Sequence, residues 1–188
     1  LWMISRIKTD NGLWIESEPA AVDSRDFEEK QIGPYRVIIS RTDDQMAGRV
    51  EIRKNDQIVF EEEEIGSYFY LGNHFNVEEE KEVEEGVEEK KEDIFSGTDF
   101  TGNGIPDLLI SKWTGGAHCC HFLYIFELGG EIRKIATIEA GSYSITLVDL
   151  DGDNIPEVEF WDGAIDYLFA SFAFSPPGRV VLKSEHDH

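Results

Sequence analysis

One nine-residue pattern occurs twice in this chain, as Asp99–Asp107 (DFTGNGIPD) and Asp149–Glu157 (DLDGDNIPE), about fifty positions apart. Oxygen-bearing side chains occupy its first, third, fifth and ninth places: Asp99, Thr101, Asn103 and Asp107, then Asp149, Asp151, Asp153 and Glu157. That spacing lets a short loop wrap oxygens around a hard cation. Alternate residues point inward, a backbone carbonyl fills the seventh place (Ile105 and Ile155), and a glycine permits the bend. Gly102 and Gly152 hold the fourth place in both copies, and each copy ends on Ile-Pro and an acid before an apolar run. A fold for this chain must therefore build the same tight, oxygen-lined turn at two places. The plainer alternative is an Asx-rich turn that joins two strands with no ion. Against it, the four carboxylates of the second copy repel one another unless a counter-charge lies among them.

The surrounding pattern is that of strands. Residues 1–33 are weakly patterned, with Trp2, Leu13, Trp14 and Ile15 as the first strand material. Tyr35–Ile39, Arg49–Arg53 and Ile58–Phe60 alternate as strands, the last two joined by a turn at Lys54-Asn55-Asp56-Gln57, and Tyr68–Leu71 closes this section. A Glu-dominated run, Val77–Asp93, follows as a solvated helix or mobile loop. From Ile94 two units align. The first comprises its loop, Leu108–Ile110, His118–Leu128 and Ile132–Ile138. The second comprises Ile145–Val148, its loop, Val158–Trp161, Tyr167–Phe174 and Arg179–Lys183. A period near fifty residues with about four strands per unit is a signature of propeller blades. Two units do not close a ring. The expected fold is all-β: blade-like antiparallel repeats, as a partial propeller or a sandwich-like pair, behind an N-terminal β section. The expected divisions are 1–76 for that section, 77–93 for an acidic linker or loop, and 94–188 for the two repeats.

A twelve-residue EF-hand would end on a bidentate Glu between helices. Its twelfth places here are Ile110 and Phe160, and strand-forming residues flank both loops. The pattern Asp-x-(Asp/Thr)-Gly-(Asp/Asn)-x-Ile-Pro-(Asp/Glu) instead resembles the FG-GAP and VCBS-type repeats, the calcium loops of integrin-like propellers and of many exported bacterial proteins. The resemblance covers residues 94–183. It implies Ca2+ held by the eight oxygen side chains and by the carbonyls of Ile105 and Ile155. It also implies an extracellular, periplasmic or cell-surface protein that binds a protein or glycan ligand. Ligand charge tunes calcium affinity, so the second loop, with four carboxylates, is expected to bind more tightly than the first, where Thr101 and Asn103 are neutral.

Composition narrows the partners. A net charge of -22, from 39 acidic against 17 basic residues, repels nucleic acid phosphates and anionic lipid and attracts cations. No apolar stretch approaches the length of a membrane-spanning segment. The chain opens on Leu1, so a missing N-terminal segment such as a removed signal peptide is expected.

Two further groups of residues stand out. His118, Cys119, Cys120 and His121 offer four zinc or copper ligands, or a thiol–histidine pair, in one short run. In a strand, however, His118 and Cys120 would face one way, Cys119 and His121 the other. Buried thiols beside a hydrogen-bonded histidine are the plainer reading. Adjacent Cα atoms lie about 3.8 Å apart, so a bond between the two cysteines is expected to be strained. Trp113 and Trp161 follow the two loops at near-equivalent places, as core residues or, if exposed, as stacking surfaces for a sugar. No phosphate-binding glycine loop, nucleophile elbow or H-E-x-x-H helix is present. The expected protein is therefore a non-enzymatic calcium-binding module. The alternatives are a lectin-like module and a metal-dependent or thiol enzyme centred on His118–His121.

Overall fold

Alternating β-branched, aromatic and polar residues produce strands throughout, as the sequence leads one to expect. The structure, a computed structural model, describes residues 6–8, 14–16, 27–42, 47–75, 93, 95–116, 120–163, 174 and 178–185. Among them are β1 (Arg6–Lys8), β2 (Trp14–Glu16), β3 (Phe27–Ile32), β4 (Tyr35–Arg41), β5 (Ala47–Lys54), β6 (Gln57–Ile65) and β7 (Tyr68–Leu71). Then follow β8 (Asp107–Trp113), β9 (His121–Leu128), β10 (Ile132–Gly141), β11 (Ile145–Val148), β12 (Glu157–Asp162) and β13 (Gly178–Leu182). The protein is all-β, and every pairing between these strands is antiparallel. No helix among the described residues is long and apolar enough to cross a membrane.

Beside the β1–β2 pair lie three meanders, with strand orders β3-β4-β5-β6, β10-β9-β8-β7 and β11-β12-β13. They stack in layers, and the described strands do not close a ring. The second sheet is the middle layer. Leu108, Ile110 and Phe126 on one of its faces pack with Val37, Val50 and Ile52 of the first sheet. Leu109, Leu123 and Ile125 on its other face pack with Ile145, Val158 and Phe160 of the third. Burial on both faces explains why β8 shows no polar–apolar alternation: six of its seven residues are buried.

The expected hairpin forms, with Asn55 and Asp56 both at positive φ (50° and 64°) in the two-residue turn between β5 and β6. β3 is an addition to the expected strands. Its sequence, FEEKQI, is largely polar because it lies at the edge of the first sheet, where one side of the ladder and part of each face meet water. The strand partner of β8 is split. β7 covers Ile110–Trp113, while residues 96–98 cover the start of β8 through Asp107 N–H to Thr98 O and Gly97 N–H to Asp107 O (both 2.7 Å). β7, expected with the N-terminal section, is thus hydrogen-bonded into the sheet of the first repeat. Residues 77–92 of the acidic run lie outside the described residues.

One polar network joins the first two layers. Lys112, nearly buried, donates to Glu62 (2.8 Å) and to the hydroxyl of Tyr124 (3.3 Å) and pairs with Glu64. Burial and Glu62 push the Tyr124 hydroxyl up to about 12, so it stays a donor to Glu62 (2.9 Å). Every member of this network is satisfied, which lets charge sit beside the Phe60–Phe126 contact without an uncompensated penalty.

Candidate metal centre

The two nine-residue segments fold as one loop built twice. Their fourth residues, Gly102 and Gly152, have φ of 79° and 82°, and their sixth, Gly104 and Asn154, 85° and 68°. Glycine reaches this region freely, and asparagine is among the few side chains that tolerate it. The hydrogen bonds repeat as well. The first-position carboxylate accepts the sixth-position N–H, from Gly104 to Asp99 (2.8 Å) and from Asn154 to Asp149 (2.9 Å). The fifth-position side-chain oxygen accepts the seventh-position N–H, from Ile105 to Asn103 and from Ile155 to Asp153 (both 2.8 Å). Short Asx side chains that bond to backbone N–H groups a few residues on are what bend the chain here.

In the first loop the ninth residue, Asp107, is fully buried at the start of β8. Its Oδ2 accepts two hydrogen bonds from Thr101, one from the backbone N–H (2.8 Å) and one from the hydroxyl (2.9 Å). Its Oδ1 is buried with no hydrogen-bond partner. Burial pushes this carboxyl above the usual aspartate range. The two Thr101 hydrogen bonds pull it back, and the neighbouring carboxylates Asp99 and Glu127 push it up again. Glu127 belongs to β9, directly opposite Asp107 in the ladder, and is itself buried. Asn103 Nδ2 donates to Glu127 Oε2 (2.7 Å), and Arg133 forks onto Oε1 (2.7 and 3.1 Å). A buried carboxylate oxygen without a donor, beside two further carboxylates, is a costly arrangement unless a cation completes it. Asp99, Thr101, Asn103, Asp107 and Glu127 each carry a side-chain oxygen, which suits a hard divalent ion, although Arg133 already neutralises one oxygen of Glu127. Glu127 was not among the expected ligands. Its signal in the sequence is faint: the only acid in the apolar run HFLYIFEL.

The second loop is more open. Asp149, Asp151 and Asp153 are exposed, and each offers an oxygen within 4.8 Å of the others. Glu157, at the ninth place, is buried and its Oε2 accepts the Leu150 N–H (2.8 Å). The cluster has a cation of its own chain. Lys183 Nζ pairs with Asp151 Oδ2, Asp153 Oδ2 (2.7 Å) and Glu157 Oε1 (3.4 Å). The Lys183 contact and the Ile155 N–H hold the Asp153 carboxyl below its usual range.

Of the other expected groups, His118 and Cys119 lie outside the described residues. Cys120 carries no free thiol. The Cys120 N–H donates to the Thr114 hydroxyl (3.0 Å). His121 opens β9, with Nδ1 3.0 Å from the Tyr143 carbonyl and its ring stacked on Phe75 at 4.0 Å. Since a carbonyl only accepts, Nδ1 bears the proton. Trp113 stacks on its cross-strand partner Tyr68 (5.2 Å), whereas Trp161 is 43% exposed. Trp161 borders a groove of about 330 Å³, lined also by Ser142, Tyr143, Ser144, Thr146 and Glu159.

No family model matches the chain. No solved structure matches it either. Over 85 residues, 44% of its length, the chain is 34% identical to a protein of Sinorhizobium fredii described as "Uncharacterized protein y4bJ". The match spans 13% of that protein's length.

Proposed function

We propose that this chain is a calcium-binding β-repeat protein of the FG-GAP/VCBS kind, whose ion holds a loop and the adjoining sheet edge in place rather than taking part in chemistry. In this reading Asp99, Thr101, Asn103, Asp107 and Glu127 hold the ion of the first loop, and the Ile105 carbonyl completes the set. The chain works outside the cytoplasm or at a cell surface as an ion-stabilised adhesion or protein-binding module, and it is not an enzyme. One observation carries the proposal: the Oδ1 of Asp107 is buried with no hydrogen-bond partner, and the charges of Asp99 and Glu127 are near enough to push this carboxyl further up. A net charge of -22 supports it, because a module this acidic gains from divalent counter-ions.

The test is thermal melting of the chain in calcium and in EGTA. At a hundredfold excess over its dissociation constant, one bound ion stabilises the native state by about 2.7 kcal/mol. For a chain of this size that amounts to roughly 5–10 °C in Tm. Equal melting temperatures in calcium and EGTA would sink the proposal.

The groove beside Trp161 favours a second reading, a lectin-like module. An exposed indole stacks on the apolar face of a sugar ring, while the hydroxyls of Ser142, Tyr143, Ser144 and Thr146 bond its rim. Binding on a glycan array, lost in Trp161→Ala and kept in Trp113→Ala, is the expected result. An array with no hits, or one indifferent to Trp161, rules this second reading out.

A further inference from the structure

The second loop already contains a positive charge, and its position follows from strand pairing. β13 pairs with β12 so that Leu182 lies opposite Val158. The next residue, Lys183, therefore falls beside Glu157, the ninth residue of the loop. From there its ammonium reaches Asp151, Asp153 (2.7 Å) and Glu157 (3.4 Å), three of the four carboxylates that the loop pattern offers a cation. An isolated exposed ion pair contributes little. Here one ammonium meets three carboxylates, two of which belong to a trio whose oxygens crowd within 4.8 Å. In the first loop no basic side chain among the described residues reaches Asp99 or Asp107; the nearest fork, Arg133, lies on Glu127.

We propose that Lys183 is the resident counter-cation of the second loop, a tethered ammonium that holds Asp151, Asp153 and Glu157 together and competes with a divalent ion for the same oxygens. The first loop, with fewer carboxylates of its own, is then the site that takes calcium. This reverses the order expected from counting charges. The inference rests on the calcium reading of these loops. It adds a residue that decides which of the two is filled.

Calcium titration by calorimetry on the whole chain tests it, comparing wild type, Lys183→Met and Lys183→Arg. The Lys183 side chain is partly exposed, so methionine fits without burying a new group. Wild type is expected to bind one equivalent. Lys183→Met should bind two, the second loop having gained at least tenfold in affinity, and Lys183→Arg, which keeps the charge, should return to one. Adding Asp153→Asn to Lys183→Met should remove the gained equivalent and leave the first. Two equivalents in wild type, with no change in Lys183→Met, would overturn the role of Lys183 and leave the calcium reading intact. No calcium bound by any of the chains would overturn both.

Discussion

Asp107→Asn is expected to reverse its effect on stability when calcium is added. Without calcium, the variant removes a buried negative charge whose Oδ1 has no donor and whose neighbours Asp99 and Glu127 are also acidic. An asparagine can still accept from Thr101 through its oxygen, and its NH2 can donate toward those carboxylates. In EGTA the variant should therefore be more stable than wild type by about 1–3 kcal/mol, the usual cost of an unsatisfied buried polar group. In calcium the order should invert, because the wild-type oxygen now meets an ion and the variant has lost a charged ligand. The pH dependence follows from the same group. Its folded pKa lies above its unfolded one, so the stability it contributes is full below the unfolded aspartate value. That contribution is lost as pH rises through the raised folded value, and above it the charged group is a cost. Acidification through this window should thus raise the relative stability of the calcium-free wild type toward that of Asp107→Asn. A variant less stable than wild type by the same amount in calcium and in EGTA would contradict this account.

Phe100→Ala and Leu150→Ala test whether the two loops are anchored differently. Both residues hold the second place of the pattern. Phe100 is buried in the core between the second and third sheets, with its ring 5.6 Å from that of Phe95. Leu150 is 46% exposed. Truncating a buried phenylalanine costs about 3–5 kcal/mol, which for a chain of this length lowers Tm by roughly 6–20 °C. Calcium affinity should fall with it, since Asp99 and Thr101 flank the anchor. Leu150→Ala should stay within about 0.5 kcal/mol of wild type. Similar losses for the two variants in urea or thermal unfolding would show that the loops are equally supported.

The loops were legible in the sequence because everything that bends them is local. Asx side chains, the glycines at the fourth place and the Gly or Asn at the sixth act within nine residues, and no distant partner is needed. The all-β character was legible for a similar reason, since hairpin turns and strand alternation are short-range signals. What escaped depends on register between strands far apart in the chain. Glu127 reaches the first loop only because β9 pairs with β8, and Lys183 reaches the second only because β13 pairs with β12. β7 joins β8 across an acidic run that looked like a boundary. Counting carboxylates favoured the second loop, which also holds three carboxylates with oxygens within 4.8 Å of one another; the burial of Asp107 and the placement of Lys183 are what the proposal sets against that count. Trp113 and Trp161, alike in sequence, differ in exposure: Trp113 stacks on Tyr68 within the middle sheet, while Trp161 lies on the face of the third sheet turned away from its core partner Phe160.

Anomalous diffraction from crystals grown with calcium locates the ion directly. A calcium peak is expected at about 2.3–2.6 Å from Asp107 Oδ1, the distance of a calcium–oxygen bond. Asp99 and Glu127 should lie in the same coordination shell, and Lys183 should remain on Asp151 and Asp153. A first loop with Asp107 Oδ1 bonded only to protein or water, or a calcium peak found solely among Asp149, Asp151, Asp153 and Glu157, would contradict this expectation.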